Sequence, residues 1–263
     1  MRDRPPMILP FNWHGAQHGD VLVFGNSLGT TQRMWHRQVE HFADRYRILT
    51  FDLPGHYATG HTQHPFSFDD IVESAADLLH AQCVSGVRWC GVSLGGALGV
   101  AVAARHPSLV GKLALVNAPI RQPSREFWIQ RALDAERSGV APFADAIPTR
   151  WFASRPRPDV RDDVAQLVEL LRAIPRAGYA EACRAIADMD VTNAAADIAI
   201  PTVVIYGEAD LAVAPDNSRE LAERIGGADL RSVPSAGHML PVEMPGVLNT
   251  ILDEFLSEKG ALD

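Results

Sequence analysis

The sequence predicts an α/β fold in which a mostly parallel sheet is flanked by helices and carries an inserted helical cap. Short apolar runs alternate with amphipathic stretches through residues 1–119 and again through residues 198–263, and this alternation is typical of parallel strands joined by right-handed crossovers. Residues 120–197 show helical patterns and no convincing strand. We therefore expect a core domain built from residues 1–119 and 198–263, and a helical cap of residues 120–197.

In the first part of the core, short apolar runs predict strands and apolar residues at helical spacing predict helices. The predicted strands are residues 21–24, 47–52, 86–90 and 112–117. The predicted helices are one through Trp35, Val39 and Phe42, one over residues 69–83 and one over residues 94–105. Strands and helices therefore alternate, as parallel pairing requires.

The same spacing arguments apply to the cap and to the second part of the core. The predicted cap helices are residues 126–137, 143–152, 159–174 and 178–188. The alternation then resumes with a strand at residues 201–207, a helix at 215–225, a strand at 229–233 and a final amphipathic helix at 241–256.

Composition narrows the class of partner. The chain has 263 residues, of which 47% are hydrophobic, and a net charge of −8 with both signs of charge interspersed. This pattern gives no sign of a nucleic-acid surface or an anionic-membrane surface and favours a small-molecule partner. No stretch approaches the ~18 apolar residues of a membrane span.

Cysteine usage and the N-terminal residues point to a compartment. The cysteines Cys83, Cys90 and Cys183 are odd in number and have no C-x-x-C spacing, which argues against a disulfide scaffold or a zinc site. The stretch Met1–Pro10 lacks the apolar region of a secretory signal. We expect a soluble cytoplasmic protein that is a monomer or a small homo-oligomer.

A serine lies at the centre of a glycine-rich turn between the third predicted strand and its helix. The stretch Gly91-Val-Ser93-Leu-Gly95 matches the nucleophile-elbow pattern G-x-S-x-G. The glycines have no Cβ atom, so the helix can pack tightly against the strand while Ser93 is held in a strained conformation with its hydroxyl exposed. Ser93 is the candidate nucleophile, and the alternative is an ordinary strand-to-helix turn.

A serine nucleophile needs a base to take its proton and an acid to orient that base. Asp210 follows one predicted strand and His238 follows the next. The chain order serine, aspartate, histidine is that of the α/β-hydrolase fold. The alternatives are a capping aspartate, with Glu208 and Asp216 as rival acids, and a structural histidine.

Two backbone N–H groups are expected to stabilise the oxyanion of the reaction. One is that of Leu94, the residue after the nucleophile, and the other belongs to the loop after the first predicted strand, Asn26-Ser27-Leu28. Leu28 is the preferred second donor.

Three further histidines, His56, His61 and His64, lie in one predicted loop. They have no paired carboxylate or cysteine there, so we expect no metal site. Cys90, in a buried strand, is expected to pack in the core.

With these motifs the chain resembles the α/β-hydrolase family over nearly its whole length. More narrowly, it is similar to the 3-oxoadipate enol-lactonases of aromatic catabolism. The narrower resemblance rests on Asn26-Ser-Leu-Gly-Thr30, Arg33-Met-Trp35, Trp128, Arg131, Arg150-Trp-Phe152, Gly178-Tyr-Ala-Glu-Ala-Cys183 and Ala187-Asp-Met-Asp190. The chain departs from the family at Pro54-Gly-His-Tyr57, where Arg-Gly-His-Gly is usual, and the bulkier Tyr57 is expected to reshape the pocket mouth.

The resemblance implies an α/β-hydrolase fold and a triad of Ser93, Asp210 and His238 that opens a small enol-lactone or ester through an acyl-enzyme, with no cofactor. The enol-lactone carries a carboxylate, which implies a cationic partner in a pocket between cap and sheet. The expected substrate-binding residues are Asn26, Ser27, Arg33, Trp128, Arg131 and Trp151, with Arg150 as a further candidate for the carboxylate. Each arginine could equally lie at the surface, and both tryptophans could belong to the cap core.

Three other activities are compatible with the same residues. One is a broad carboxylesterase, thioesterase or carbon–carbon bond hydrolase, because a triad fixes the chemistry and the cap fixes the substrate. Another is cofactor-free oxygenation or perhydrolysis, and the third is a receptor-like hydrolase that turns over slowly.

Overall fold

The computed structural model describes residues 7–56, 65–153 and 156–257. In this part of the chain seven strands form one sheet with the order β1-β3-β2-β4-β5-β6-β7. The strands are β1 (Phe11–Gly15), β2 (Val21–Gly25), β3 (Arg47–Phe51), β4 (Val87–Val92), β5 (Val110–Val116), β6 (Thr202–Gly207) and β7 (Asp229–Val233). Strands β2 to β7 pair in parallel and β1 pairs antiparallel with β3. The predicted mostly parallel sheet is confirmed.

The first strand, β1, is a strand that the sequence did not predict. It pairs with β3 from Phe11 opposite Phe51 to Gly15 opposite Arg47. Its residues are exposed or half-buried, so it lacks the buried apolar run that marks β2, β4, β5 and β6. An edge strand of this kind is held by its backbone bonds to β3, which only the tertiary structure supplies.

Helices cover the sheet and fill the segment between β5 and β6. They are α1 (His36–Phe42), α2 (Phe68–Ala81), α3 (Leu94–Arg105), α4 (Arg125–Ser138), α5 (Ala141–Ala146), α6 (Pro148–Trp151), α7 (Arg161–Arg172), α8 (Arg176–Ala187), α9 (Thr192–Ala196), α10 (Pro215–Ile225), α11 (Leu240–Glu243) and α12 (Pro245–Ser257). Short 3-10 segments precede α1 and α7, at Gln32–Trp35 and Pro158–Val160. No helix in the described ranges combines the length and apolar character that crossing a membrane requires.

Two predicted helices are each divided at a proline. Residues 143–152 belong to α5 and α6, and α6 begins at Pro148. The final predicted helix is divided into α11 and α12, and α12 begins at Pro245. Proline has no backbone N–H to donate to the preceding turn, so it starts a new helix at each of these positions. The short helix α9 was not predicted.

The core lies on both faces of the central strands. Nearly every residue of β2, β4, β5 and β6 is buried, which explains why these strands read as continuous apolar runs. Trp89 on β4 is fully buried, and its indole N–H donates to the Gly95 carbonyl of α3 at 2.9 Å. The glycine-rich start of α3 therefore packs directly against the sheet.

Among the described residues, the helices between β5 and β6 contact the first part of the core through α7 and α8. Gly178 of α8 packs backbone to backbone against Gly55 in the loop after β3, with no room for a Cβ atom at either residue. Arg37 and His36 of α1 both pair with Asp163 of α7, at 2.9 and 3.1 Å. These contacts tie α7 and α8 to the first part of the core.

Candidate active site

Ser93 lies between β4 and α3 in a strained backbone conformation. Its φ is 54° and its ψ is −119°, a region that side-chain-bearing residues rarely adopt. A Cβ atom on Gly91 would clash with the Gly95 backbone, and one on Gly95 would clash with the Gly25 backbone. Only glycine fits at these two positions, and the turn has the geometry that the G-x-S-x-G pattern predicts.

Asp210 and His238 form a buried pair. The Asp210 carboxylate accepts a hydrogen bond from His238 Nδ1 at 2.7 Å, and the two residues are 4% and 2% exposed. The other carboxylate oxygen accepts from the backbone N–H groups of Ala212 and Val213, at 2.7 and 2.9 Å. These bonds hold the carboxylate in place and leave the second ring nitrogen of His238 available for another partner.

The rival acids lie elsewhere. Glu208 is exposed, and the Asp216 side chain is 91% exposed and pairs with Arg219. Of the three carboxylates considered from the sequence, Asp210 is the one that the described structure bonds to His238.

The loop that carries His238 is held by groups that sequence reasoning missed. The Trp151 carbonyl, at the end of α6, accepts from His238 N–H at 2.8 Å. The buried Glu243 carboxylate accepts from Gly237 N–H at 2.6 Å and from Ala153 N–H at 2.8 Å. Glu243 therefore bridges the histidine loop and the cap. In the sequence, the one feature that could have drawn attention to Glu243 is its position five residues after His238.

The predicted oxyanion loop is fixed by a buried histidine. His56 Nδ1–H donates to the Pro54 carbonyl at 3.1 Å, and Nε2 accepts from Gly29 N–H at 3.0 Å. Burial lowers the pKa of His56 to about 4, so the ring is neutral near pH 7 and keeps Nε2 as an acceptor. The bond to Gly29 is adjacent to Leu28, the preferred second oxyanion donor.

His56 is thus engaged in backbone hydrogen bonds. His61, His64 and Tyr57 lie outside the described residues. Within the described ranges, no group of three or more histidine, cysteine or acidic side chains is arranged to hold a metal ion. Burial raises the pKa of the Cys90 thiol above its ordinary range, which suits a packing role.

A cavity of about 460 Å³ lies between the cap and the carboxyl ends of the strands. It brings together most of the residues singled out from the sequence. Those that line it are Ser27, Leu28, Ser93, Leu94, Trp128, Arg131, Arg150, Trp151 and His238. Asp210 does not line the cavity itself but is hydrogen-bonded to His238, which does. The lining is mainly apolar, with few polar groups, as is usual for small-molecule sites.

Two predicted binding residues lie away from this cavity. Asn26 is fully buried, where its Nδ2 donates to the Phe51 carbonyl at 2.7 Å and its Oδ1 accepts from the Trp35 indole at 3.0 Å. Arg33 is exposed beside a separate shallow depression near Asp163. Sequence spacing could not show which way these side chains point.

The arginines around the cavity differ in their partners. Arg121 forms a bidentate pair with Glu220, at 2.7 and 2.9 Å, and Arg150 donates to the Leu211 carbonyl at 3.1 Å. Arg131 is half-buried, and in the described part of the chain its guanidinium bonds the Tyr179 hydroxyl and pairs with no carboxylate. Arg150 also pairs with no carboxylate in the described part of the chain, but it is exposed. Arg131 is therefore the half-buried lining arginine whose charge is left for an anionic group.

Arg131 is held by aromatic side chains. Its Nε and Nη2 donate to the Tyr179 hydroxyl at 2.8 and 2.6 Å, and its guanidinium lies 4.7 Å from the Phe143 ring centre and 5.7 Å from that of Trp128. Burial raises the pKa of Tyr179 above its ordinary range, so its hydroxyl keeps a proton to donate. The cluster presents one positive charge on a rigid apolar frame.

Comparison with known proteins agrees with this architecture. Residues 20–245 match the family model for the alpha/beta hydrolase fold. The chain is 31% identical over 235 residues to 3-oxoadipate enol-lactonase 2 of Acinetobacter baylyi, covering 89% of this chain and 88% of that one. It is also 31% identical over 248 residues to 3-oxoadipate enol-lactonase 1 of the same organism, covering 92% and 91%.

A solved structure gives the same result. The crystal structure of the enol-lactonase from Burkholderia xenovorans superposes with a TM-score of 0.88 at 32% identity, covering 95% of this chain and 96% of that one. The resemblance inferred from the motifs is confirmed. The family match and these relatives together show that the chain belongs to the α/β-hydrolase family.

Proposed function

We propose that the chain is a serine hydrolase that opens a small enol-lactone or a related carboxylic ester through an acyl-enzyme, with Ser93, Asp210 and His238 as its triad. The observation that carries this proposal is the buried 2.7 Å bond between Asp210 and His238, together with the shared cavity of His238 and Ser93. The strained turn at Ser93 supports the same assignment, because strain of this kind recurs at nucleophile elbows.

The chemistry follows from these positions. His238 takes the proton of the Ser93 hydroxyl as Oγ attacks the substrate carbonyl, and the N–H groups of Leu28 and Leu94 stabilise the oxyanion. The ring oxygen then leaves with the proton from His238, which gives an ester on Ser93. A water molecule, deprotonated by His238, then attacks the ester carbonyl. The bond between the acyl carbon and Oγ breaks, Oγ takes the proton back from His238, and the acid product is released.

The substrate proposed is an ester or lactone that also carries a carboxylate. Arg131 would bind that carboxylate, because it lines the cavity, has no carboxylate partner among the described residues and is held by Tyr179. A guanidinium suits this role because it binds carboxylates through two parallel hydrogen bonds. The names of the Acinetobacter baylyi relatives support 3-oxoadipate enol-lactone as the first substrate to test.

We further propose that residues 120–197 act as a cap domain that selects the substrate. Trp128, Arg131 and Trp151 all belong to this segment and line the cavity from the cap side. The core would then supply the reacting groups, and the cap would determine which substrate binds. Such a division lets one fold act on many substrates.

The nucleophile is tested with Ser93→Ala and a generic aryl ester. We expect turnover to disappear while the circular-dichroism spectrum and the unfolding midpoint stay close to those of the parent chain. Retained ester turnover in a folded Ser93→Ala protein would overturn the assignment. Retained peroxide-dependent activity in the same variant would instead indicate cofactor-free oxygenation or perhydrolysis.

The substrate class is tested with a panel read by acid release. The panel contains 3-oxoadipate enol-lactone, aryl esters with and without a free carboxylate, and acyl thioesters. We expect the highest kcat/KM for the lactone. Equal kcat/KM across the panel would favour the broad carboxylesterase or thioesterase, and a single burst without turnover would favour the receptor-like hydrolase.

A further inference from the structure

Asn117 is a buried polar residue that the proposed mechanism does not use. It follows β5 with a φ of 47° and is 1% exposed. A positive φ is tolerated better by asparagine than by most residues with a side chain. Because the residue is almost completely buried, its carboxamide must find hydrogen-bond partners inside the protein.

Among the described residues, the Asn117 carboxamide forms its hydrogen bonds with the backbone beside the acid and the base. Oδ1 accepts from Gly207 N–H at 2.9 Å, and Nδ2 donates to the carbonyls of Gly237 and His238, at 3.1 and 2.8 Å. The partners fix the orientation of the amide, since carbonyls lie on one side and an N–H on the other.

These bonds join two loops that come from distant parts of the chain. Gly207 ends β6, and its carbonyl accepts from Asp210 N–H at 3.2 Å, so it is the base of the turn that carries the acid. On the other side, the bond to the His238 carbonyl holds the backbone of the base itself. The carboxamide therefore spans the two backbones between which the Asp210–His238 bond is formed.

We infer that Asn117 is a positioning residue that sets the relative placement of Asp210 and His238. This inference rests on the proposed function, since it assigns to Asn117 the support of that triad. Asn117 does not line the cavity. Its loss should therefore slow the chemical step and leave the affinity for a bound molecule unchanged.

Asn117→Asp gives the sharpest change, because it keeps the shape of the side chain and removes the N–H donors. The aspartate oxygen would face the two carbonyl oxygens that now accept hydrogen bonds, and the histidine loop would shift. Small displacements of a catalytic group reduce rates steeply, so a loss of about 10- to 100-fold in the chemical step is expected.

The test uses a fluorophosphonate probe, so that it does not depend on knowing the substrate. Ser93 Oγ attacks phosphorus, the Oγ–P bond forms, fluoride leaves and the serine proton passes to His238. Mass spectrometry locates the adduct, and the concentration dependence of labelling separates kinact from KI. We expect kinact of Asn117→Asp to fall by about 10- to 100-fold with KI unchanged.

Two further variants complete the experiment. Asn117→Gly keeps the positive φ without strain and removes all three bonds, so it tests the inference if the aspartate variant does not fold. Asn249→Asp is the matched control, since Asn249 is also buried and does not line the cavity. Its Oδ1 accepts a hydrogen bond of 3.1 Å from Gln38 Nε2. This control variant should lower the unfolding midpoint and leave kinact unchanged.

The outcomes separate the two proposals. Labelling of Ser93 in the parent chain, with kinact unchanged in a folded Asn117 variant, would overturn the positioning role alone. Equal losses of kinact in the Asn117 and Asn249 variants would show a general effect of destabilisation and would also overturn it. Absence of labelling at Ser93 in the parent chain would overturn the proposed function, and the inference with it.

Discussion

The Trp151 carbonyl accepts hydrogen bonds from the backbone N–H groups of His238 and Met239, at 2.8 and 3.0 Å. The same tryptophan is one of the residues that line the cavity. One residue of the cap therefore contacts both the space for a substrate and the backbone of the candidate base. This connection makes the end of α6 part of the support for His238.

Glu243 forms a second link between the end of α6 and the His238 loop, because its carboxylate accepts hydrogen bonds from both Ala153 N–H and Gly237 N–H. Glu243→Gln keeps the size of the side chain but replaces one acceptor oxygen by a donor group. One buried N–H would lose its partner, which costs about 1–3 kcal/mol. We expect this loss in the free energy of unfolding measured with urea, together with a lower kcat for an aryl ester.

The control for this variant is Glu254→Gln on α12, whose side chain is 56% exposed. A surface change of this kind should alter the free energy of unfolding by no more than about 0.5 kcal/mol. Equal effects of the two substitutions would show that Glu243 has no special role.

Gly178→Ala should separate the cap from the core. A Cβ atom there would clash with the Gly55 backbone, which cannot rotate away as a side chain could. Overpacking of this kind costs about 1–3 kcal/mol or more, and we expect a lower unfolding midpoint. Gly246→Ala in α12 has open space around it, so it should instead stabilise the protein by about 0.4–1 kcal/mol. Similar midpoints for the two variants would contradict the tight contact.

His56 should make the protein less stable in acid. Burial lowers its pKa from 6.5 to about 4, so between these values the unfolded chain binds a proton that the folded chain does not. The free energy of unfolding therefore falls as the pH decreases from 6.5 towards 4, by roughly 1.4 kcal/mol per pH unit from this residue. Above pH 6.5 the residue contributes no pH dependence.

The test compares urea unfolding at several pH values in the parent chain and in His56→Gln. The variant should lose less stability across the same window, because it has no imidazole to protonate. The control is His18→Gln, which makes the same exchange at an exposed position, so its comparison with His56→Gln isolates the effect of the buried site. Identical slopes in the parent chain and His56→Gln would rule out the buried neutral histidine.

Arg131 should discriminate substrates by their charge. Arg131→Gln removes the positive charge held by Tyr179, and hydrogen bonds to charged groups contribute about 1.5–3 kcal/mol. We expect KM to rise by roughly 10- to 100-fold for an ester with a free carboxylate, and to stay unchanged for a neutral aryl ester. Arg137→Gln, at an exposed position of the same helix, should change neither value. An equal rise for both esters would argue against carboxylate binding.

The sequence by itself determined the parts of the protein that depend on local chemistry. Continuous apolar runs specify strands covered on both faces, and the glycines at 91 and 95 specify a turn that no larger residue permits. The order of Ser93, Asp210 and His238 along the chain indicated which strand ends would carry them. These features survive in the fold because each depends on a few neighbouring residues.

Only the tertiary structure decided which distant groups meet and which way side chains point. Asn26 satisfies its amide inside the core and Arg33 lies at the surface, although both are next to motif residues in sequence. The bonds from Asn117 to His238 and from Glu243 to Ala153 join residues 121 and 90 positions apart. Such pairings follow from strand order and helix packing. A polar group needs a partner inside the protein only once folding has buried it, so the local sequence does not reveal which partner it finds.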